Sequence, residues 1–138
     1  MPMNVHNIQA KKENGEKLVL VTAYDYHQSR LADQAGVDLL LVGDSLGRFI
    51  QGDDCDLHVT VDEVIYHCKA VDRGRKRALV VAGMPFGSYH VGPAQAVQNA
   101  IRAGSVFHWE VAEEADIPHE TLGEIIDYCQ RKGICLSP

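Results

Sequence analysis

Four consecutive apolar residues, Leu39-Leu40-Leu41-Val42, end abruptly at Gly43-Asp44-Ser45. An unbroken apolar run of this length reads as a strand buried on both faces, the kind found in parallel sheets. The polar groups then fall at the strand's C-terminal end, where α/β folds bind ligands because rigid strands deliver converging loops there. Asp44 offers a hard oxygen for a cation such as Mg²⁺, and Ser45 offers a hydroxyl and a backbone N–H. Taken alone, the tripeptide is equally a plain turn with Asp44 and Ser45 as capping residues.

The flanks favour the strand. Residues 18–23 form a second apolar, β-branched run, read as a first buried strand that ends at Tyr24-Asp25-Tyr26. Between the two runs, Leu31, Ala32 and Ala35 recur at helical spacing, with Asp25 placed to cap the helix and Gly36 to close it. Strand, helix and strand with short connections make a right-handed parallel unit in nearly all known cases. The pattern then repeats. Residues 48–59 read as a long loop, and Thr60-Val61-Asp62-Glu63 is a capping-box sequence ahead of Val64, Ile65, Cys68 and Val71. Residues 78–82 form a third apolar strand, broken at Gly83-Met84-Pro85. Pro93 can open a further helix, with Ala96, Val97 and Ala100 on one face. A short amphipathic lead-in helix is expected over residues 5–17, stopped at Asn14-Gly15. Alternating strands and helices predict an α/β fold with a parallel sheet.

Composition narrows the function classes. The 138 residues are 46% hydrophobic and 23% charged, as in an ordinary globular domain. No apolar run approaches the ~20 residues that span a bilayer. The net charge of −6 opposes nonspecific binding to nucleic acid. Cys55, Cys68, Cys129 and Cys135 form no CxxC pair, so neither a zinc site nor a disulfide framework is expected. The N-terminus lacks the basic start and apolar core of a signal peptide, which makes a cytoplasmic location the expectation.

Several blocks in series resemble the ketopantoate hydroxymethyltransferase family, also called 3-methyl-2-oxobutanoate hydroxymethyltransferase. They are Val21-Thr22-Ala23-Tyr24-Asp25-Tyr26, Leu31-Ala32-Asp33-Gln34-Ala35-Gly36-Val37-Asp38, Leu41-Val42-Gly43-Asp44-Ser45-Leu46-Gly47 and Ile65-Tyr66-His67. Arg77-Ala78-Leu79-Val80-Val81-Ala82 and Pro85-Phe86-Gly87-Ser88-Tyr89 follow in the same order, within roughly residues 4–103. The resemblance implies a (β/α)₈ (TIM) barrel, of which residues 1–103 would supply about three N-terminal βα units. It also implies Mg²⁺, homo-oligomers and a small 2-oxo acid substrate. The family's reaction moves a hydroxymethyl unit from 5,10-methylenetetrahydrofolate onto 3-methyl-2-oxobutanoate, giving ketopantoate for pantothenate synthesis. By position, Asp44 matches a metal ligand, and Asp44 with Ser45 matches the oxo-acid contact.

Three departures accompany the match. The family's third strand ends in a metal-binding aspartate, and Gly83 occupies that position here. The family's fourth-strand lysine and glutamate, and its later glutamate base, have no counterpart, so no catalytic base is assigned. Glu110 follows an aromatic run but lacks the lysine two places before it. Residues 104–138 form an acidic tail, with seven acidic residues against Arg131 and Lys132, and read as a pair of amphipathic helices. A DNA-facing role for that pair is opposed by its charge. The alternative to an enzyme is a truncated, catalytically silent relative that serves as a binding or oligomerising module.

Overall fold

The computed structural model describes residues 1–104. The acidic helices expected beyond them, and Glu110, lie outside the described residues. In chain order the elements are α1 (Val5–Glu13), β1 (Leu20–Thr22), α2 (Tyr26–Gln34), β2 (Leu39–Val42), a π-helical turn (Gly47–Gln51), α3 (Val61–Gly74), β3 (Leu79–Ala82) and α4 (Pro93–Gly104). The strands form one parallel sheet in the order β1-β2-β3, with Leu20 beside Leu39 and Leu39 beside Leu79. This is the α/β alternation that the apolar runs predict.

Local chemistry sets the helix starts. The Asp25 carboxylate accepts from the Gln28 N–H at 2.8 Å and caps α2. Thr60 and Glu63 close a reciprocal capping box at the head of α3, with the Thr60 N–H donating to Glu63 at 2.7 Å. Asn4 and Asn7 do the same for α1.

The sheet's two faces bury different partners. Leu40, Val42, Val80 and Ala82 meet Val64, Cys68 and Val71 of α3 and Ala96 and Ala100 of α4 in the main core. On the opposite face Leu39 and Leu79 are covered by Met3, with Val5 and Ile8 of α1 alongside. Burial pushes the Cys68 thiol up to about 12, with the nearby Asp72 charge adding to it. Cys55 and Cys68 are both free thiols.

Two expectations are corrected. The first strand is not buried: Val19, Leu20 and Val21 are 51%, 47% and 39% exposed. β1 has β2 on one side and no strand on the other among the described residues, so its apolar side chains reach solvent. Residues 48–59 are not all loop, because Gly47–Gln51 winds one π turn. Gly52 ends it in the left-handed region at φ 79°.

The N-terminal ends of the strands are fastened by two carboxylates. Buried Asp38 accepts from the Val19 N–H at 3.0 Å and pairs with Lys11 at 3.3 Å and Arg77 at 3.6 Å. Asp33 accepts from the backbone N–H groups of Lys76, Arg77 and Ala78 at 2.9, 3.0 and 2.6 Å. Arg75 pairs with Asp72 at 2.7 Å and donates to the Ala78 carbonyl. Arg75 and Arg77 are therefore spent on structure at the end of the sheet opposite Asp44.

Candidate functional site

The parallel register brings three strand ends to one height. Thr22 lies beside Leu41, and Val42 beside Ala82. Continued past the strands, that register sets Tyr24 next to Gly43 and Gly43 next to Gly83. Backbone bonds extend it, with the Ala23 N–H donating to the Leu41 carbonyl at 3.0 Å and the Gly83 N–H to the Val42 carbonyl at 2.8 Å.

Asp44 and Ser45 begin the turn at the end of β2, as expected. The Gly47 N–H returns to the Asp44 carbonyl at 3.0 Å, and the Arg48 and Phe49 N–H groups both reach the Ser45 carbonyl at 3.1 Å. These bonds hold the backbone rigid while both side chains stay half-buried. Burial pushes the Asp44 carboxyl above its ordinary value, and the negative charge of Asp56 adds to the shift. The backbone N–H groups of Asp44 and Ser45 pull the other way without cancelling it. Asp56 is itself paired with Arg48 at 3.2 Å. The Tyr89 hydroxyl is raised by burial and by the charge of Asp44, which places the loop after β3 on the same site.

Two residues that the sequence reading did not assign to the site complete the arrangement. The Tyr24 hydroxyl lies 2.7 Å from Ser45 Oγ. His67, on α3, lies with Nδ1 2.7 Å from the Tyr24 carbonyl oxygen. A carbonyl can only accept, so Nδ1 carries the proton in this pair. The signals in the sequence are a tyrosine among the polar groups that end the first strand and the Ile65-Tyr66-His67 block.

Position 83 brings no side-chain donor. A Cβ built there would lie 3.3 Å from the Gly43 Cα, a tight contact that a shift of a few tenths of an ångström would relieve. Ser88, in the loop beyond, is buried and donates to the Pro85 carbonyl at 2.6 Å, a structural bond.

A family model described as ketopantoate hydroxymethyltransferase matches residues 2–112. The chain belongs to the ketopantoate hydroxymethyltransferase family. It is 50% identical over 102 residues to the 3-methyl-2-oxobutanoate hydroxymethyltransferase of Gloeobacter violaceus, covering 74% of this chain and 39% of that protein. The enzyme of the same name from Nitrosomonas europaea is 46% identical over 132 residues, covering 96% of this chain and 48% of that protein. The chain thus spans less than half the length of these relatives.

Among solved structures, 2,3-dimethylmalate lyase, a PEP mutase/isocitrate lyase superfamily member, superposes with a TM-score of 0.69 at 16% identity. That match covers 99% of this chain and 52% of the lyase. Oxaloacetate acetylhydrolase gives 0.65 at 16% identity, again over 99% of this chain and 52% of the other. Such low identity carries the fold alone, a TIM-barrel-like α/β arrangement of which this sheet forms part.

The family implies Mg²⁺, and the donors at the strand ends test that implication. Asp44 brings one carboxylate, Ser45 a hydroxyl and Gly83 nothing. Among the described residues no group of three His, Cys, Asp or Glu side chains converges to hold a metal. Magnesium sites commonly draw one or two carboxylates, with waters and substrate oxygens filling the octahedron. With position 83 empty, the described residues do not by themselves make the family's magnesium site.

Proposed function

We propose that this chain binds a small 2-oxo acid at the C-terminal ends of β1–β3. In that role it forms the substrate-holding part of a 3-methyl-2-oxobutanoate hydroxymethyltransferase barrel. The relatives' name specifies the reaction class, a hydroxymethyl transfer onto 3-methyl-2-oxobutanoate, with 5,10-methylenetetrahydrofolate as the donor that the family implies. The observation that carries the reading is the placement of Asp44-Ser45, matched by family position, on a turn whose backbone is tied down and whose serine is held by Tyr24. A fixed hydroxyl suits an oxygen of an oxo acid. Cytoplasmic location, a homo-oligomeric state and 103 as the end of the barrel portion belong to the same proposal.

Gly83 favours a second reading, that of a relative which binds the oxo acid or a partner without turning it over. One experiment separates the two. Proton NMR follows the C3 proton of 3-methyl-2-oxobutanoate in D₂O with the folded chain and added Mg²⁺. The transferase reading expects loss of that signal in a protein-dependent way, and expects Asp44→Asn to suppress it. A folded sample that leaves the proton in place while the ligand's resonances broaden on binding selects the silent module.

A further inference from the structure

We propose that Tyr24 is a positioning residue that converts the Ser45 hydroxyl into a hydrogen-bond donor for the ligand, and that His67 locks Tyr24 in that role. The inference rests on the 2-oxo-acid reading and adds to it the residues that orient the contact.

Tyr24 is only 7% exposed and is held at three points. Its N–H donates to the Gln28 side chain at 2.8 Å. Its carbonyl accepts from His67 Nδ1 at 2.7 Å, and its hydroxyl meets Ser45 Oγ at 2.7 Å. The three partners come from α2, from α3 and from the turn after β2, so the backbone of Tyr24 is tied to both helices and its ring to the turn. Packing a tyrosine against a core does not require this. A phenol is a stronger hydrogen-bond donor and a weaker acceptor than an aliphatic hydroxyl, because the oxygen lone pair is drawn into the ring. In the Tyr24–Ser45 pair the phenol is therefore the favoured donor, and Ser45 Oγ accepts.

The consequence lies in the remaining hydrogen. Tyr24 is the one hydrogen-bond partner of the Ser45 hydroxyl among the described residues. With a lone pair of Oγ occupied by the phenol, the serine's own hydrogen is free to point to a ligand oxygen. Without the phenol, the hydroxyl rotates among staggered positions and can spend that hydrogen on water or backbone. We assign that hydrogen to the keto oxygen, the acceptor that distinguishes a 2-oxo acid from its deoxo counterpart. His67 acts one step further back. Its bond to the Tyr24 carbonyl ties the end of β1 to α3 and sets the height at which the phenol meets Ser45.

The test titrates 3-methyl-2-oxobutanoate and its deoxo analogue, 3-methylbutanoate, onto the full chain by calorimetry. Wild type should prefer the oxo acid. Tyr24→Phe should lower affinity for the oxo acid about tenfold, as expected for one oriented hydrogen bond, and leave the deoxo acid unchanged. Ser45→Ala should do the same, and Tyr24→Phe added to Ser45→Ala should cost nothing more. His67→Asn, whose amide nitrogen can take the place of Nδ1, should keep the preference, whereas His67→Leu should lose it. Should Tyr24→Phe fail to fold, the two His67 variants carry the comparison.

Equal losses for both acids would put the Ser45 hydrogen on the shared carboxylate, and additive losses in the double variant would reduce Tyr24 to a packing residue; either overturns the proposal. A wild-type chain that binds both acids equally overturns it too, because no donor is then aimed at the keto oxygen. A wild-type chain that binds neither acid overturns the 2-oxo-acid reading itself, and the inference with it.

Discussion

An ionised Asp44 works against the folded state. Burial raises its proton affinity and Asp56 raises it further, so its folded pKa lies above the ordinary 3.8. Such a group contributes stability that is fully present below its unfolded pKa and is lost as pH rises through its folded pKa. At neutral pH that contribution is gone, and the charge remains as a burden. Asp44→Asn should therefore melt at a higher temperature than wild type at neutral pH. The gap should close below pH 3.8, where both side chains are neutral. Thermal melts on either side of that value check the sign, and a lower midpoint for the variant at neutral pH would contradict it. Retaining a destabilising charge at a strand's C-terminal end is the trade expected where a side chain serves a ligand rather than the fold.

At the scale of elements, Asp33 does the reverse. Burial opposes its charge, but the N–H groups of Ala78, Lys76 and Arg77 and the Arg77 guanidinium outweigh that and hold its carboxyl below the ordinary value. Its contribution is present above 3.8 and is lost as pH falls through the folded pKa. One side chain at the end of α2 thereby anchors the whole turn that leads into β3. Asp33→Asn should cost about 2 kcal/mol at neutral pH, because charge-assisted bonds become neutral and one acceptor becomes a donor. Urea unfolding at neutral and acid pH should show the cost shrinking in acid. The contact of α2 with α3 is equally specific. A Cβ on Gly74 would fall inside contact distance of the Tyr26 carbonyl oxygen and 2.9 Å from the Ser29 Cβ. The Ser29 hydroxyl crosses the same gap to the Val71 carbonyl at 2.6 Å.

The elements themselves were legible because each is signalled locally. Thr60 and Glu63 cap α3 within one turn, and the runs of β2 and β3 are apolar enough to demand cover on both faces. Asp44 and Ser45 were placed by the same logic. Tyr24 and His67 were not, because only the parallel register and the packing of α3 bring residues so distant in sequence onto one serine. The exposure of β1 was hidden for the opposite reason. Its apolar run reads the same whether or not a strand lies on its far side.

That far side matters most for the whole molecule. β1 and β3 each present an edge that no other described strand pairs, and Leu20 stands nearly half exposed on the face that carries Leu39 and Leu79. Unpaired N–H and C=O groups beside apolar side chains form a template for another chain. A closed (β/α)₈ barrel has no such edges, because every strand is paired on both sides. These 138 residues, expressed by themselves, should self-associate through the β1 edge, with a sedimentation coefficient that rises with concentration. Leu20→Lys puts a charge on that edge without touching Asp44, Ser45 or Tyr24, and should shift the protein towards monomer while leaving its affinity for a 2-oxo acid in place. A wild-type chain that sediments as a monomer at every concentration would sink the argument. A Leu20→Lys chain that still associates would move the contact to the β3 edge or to the exposed Phe49 and Leu57 beyond β2.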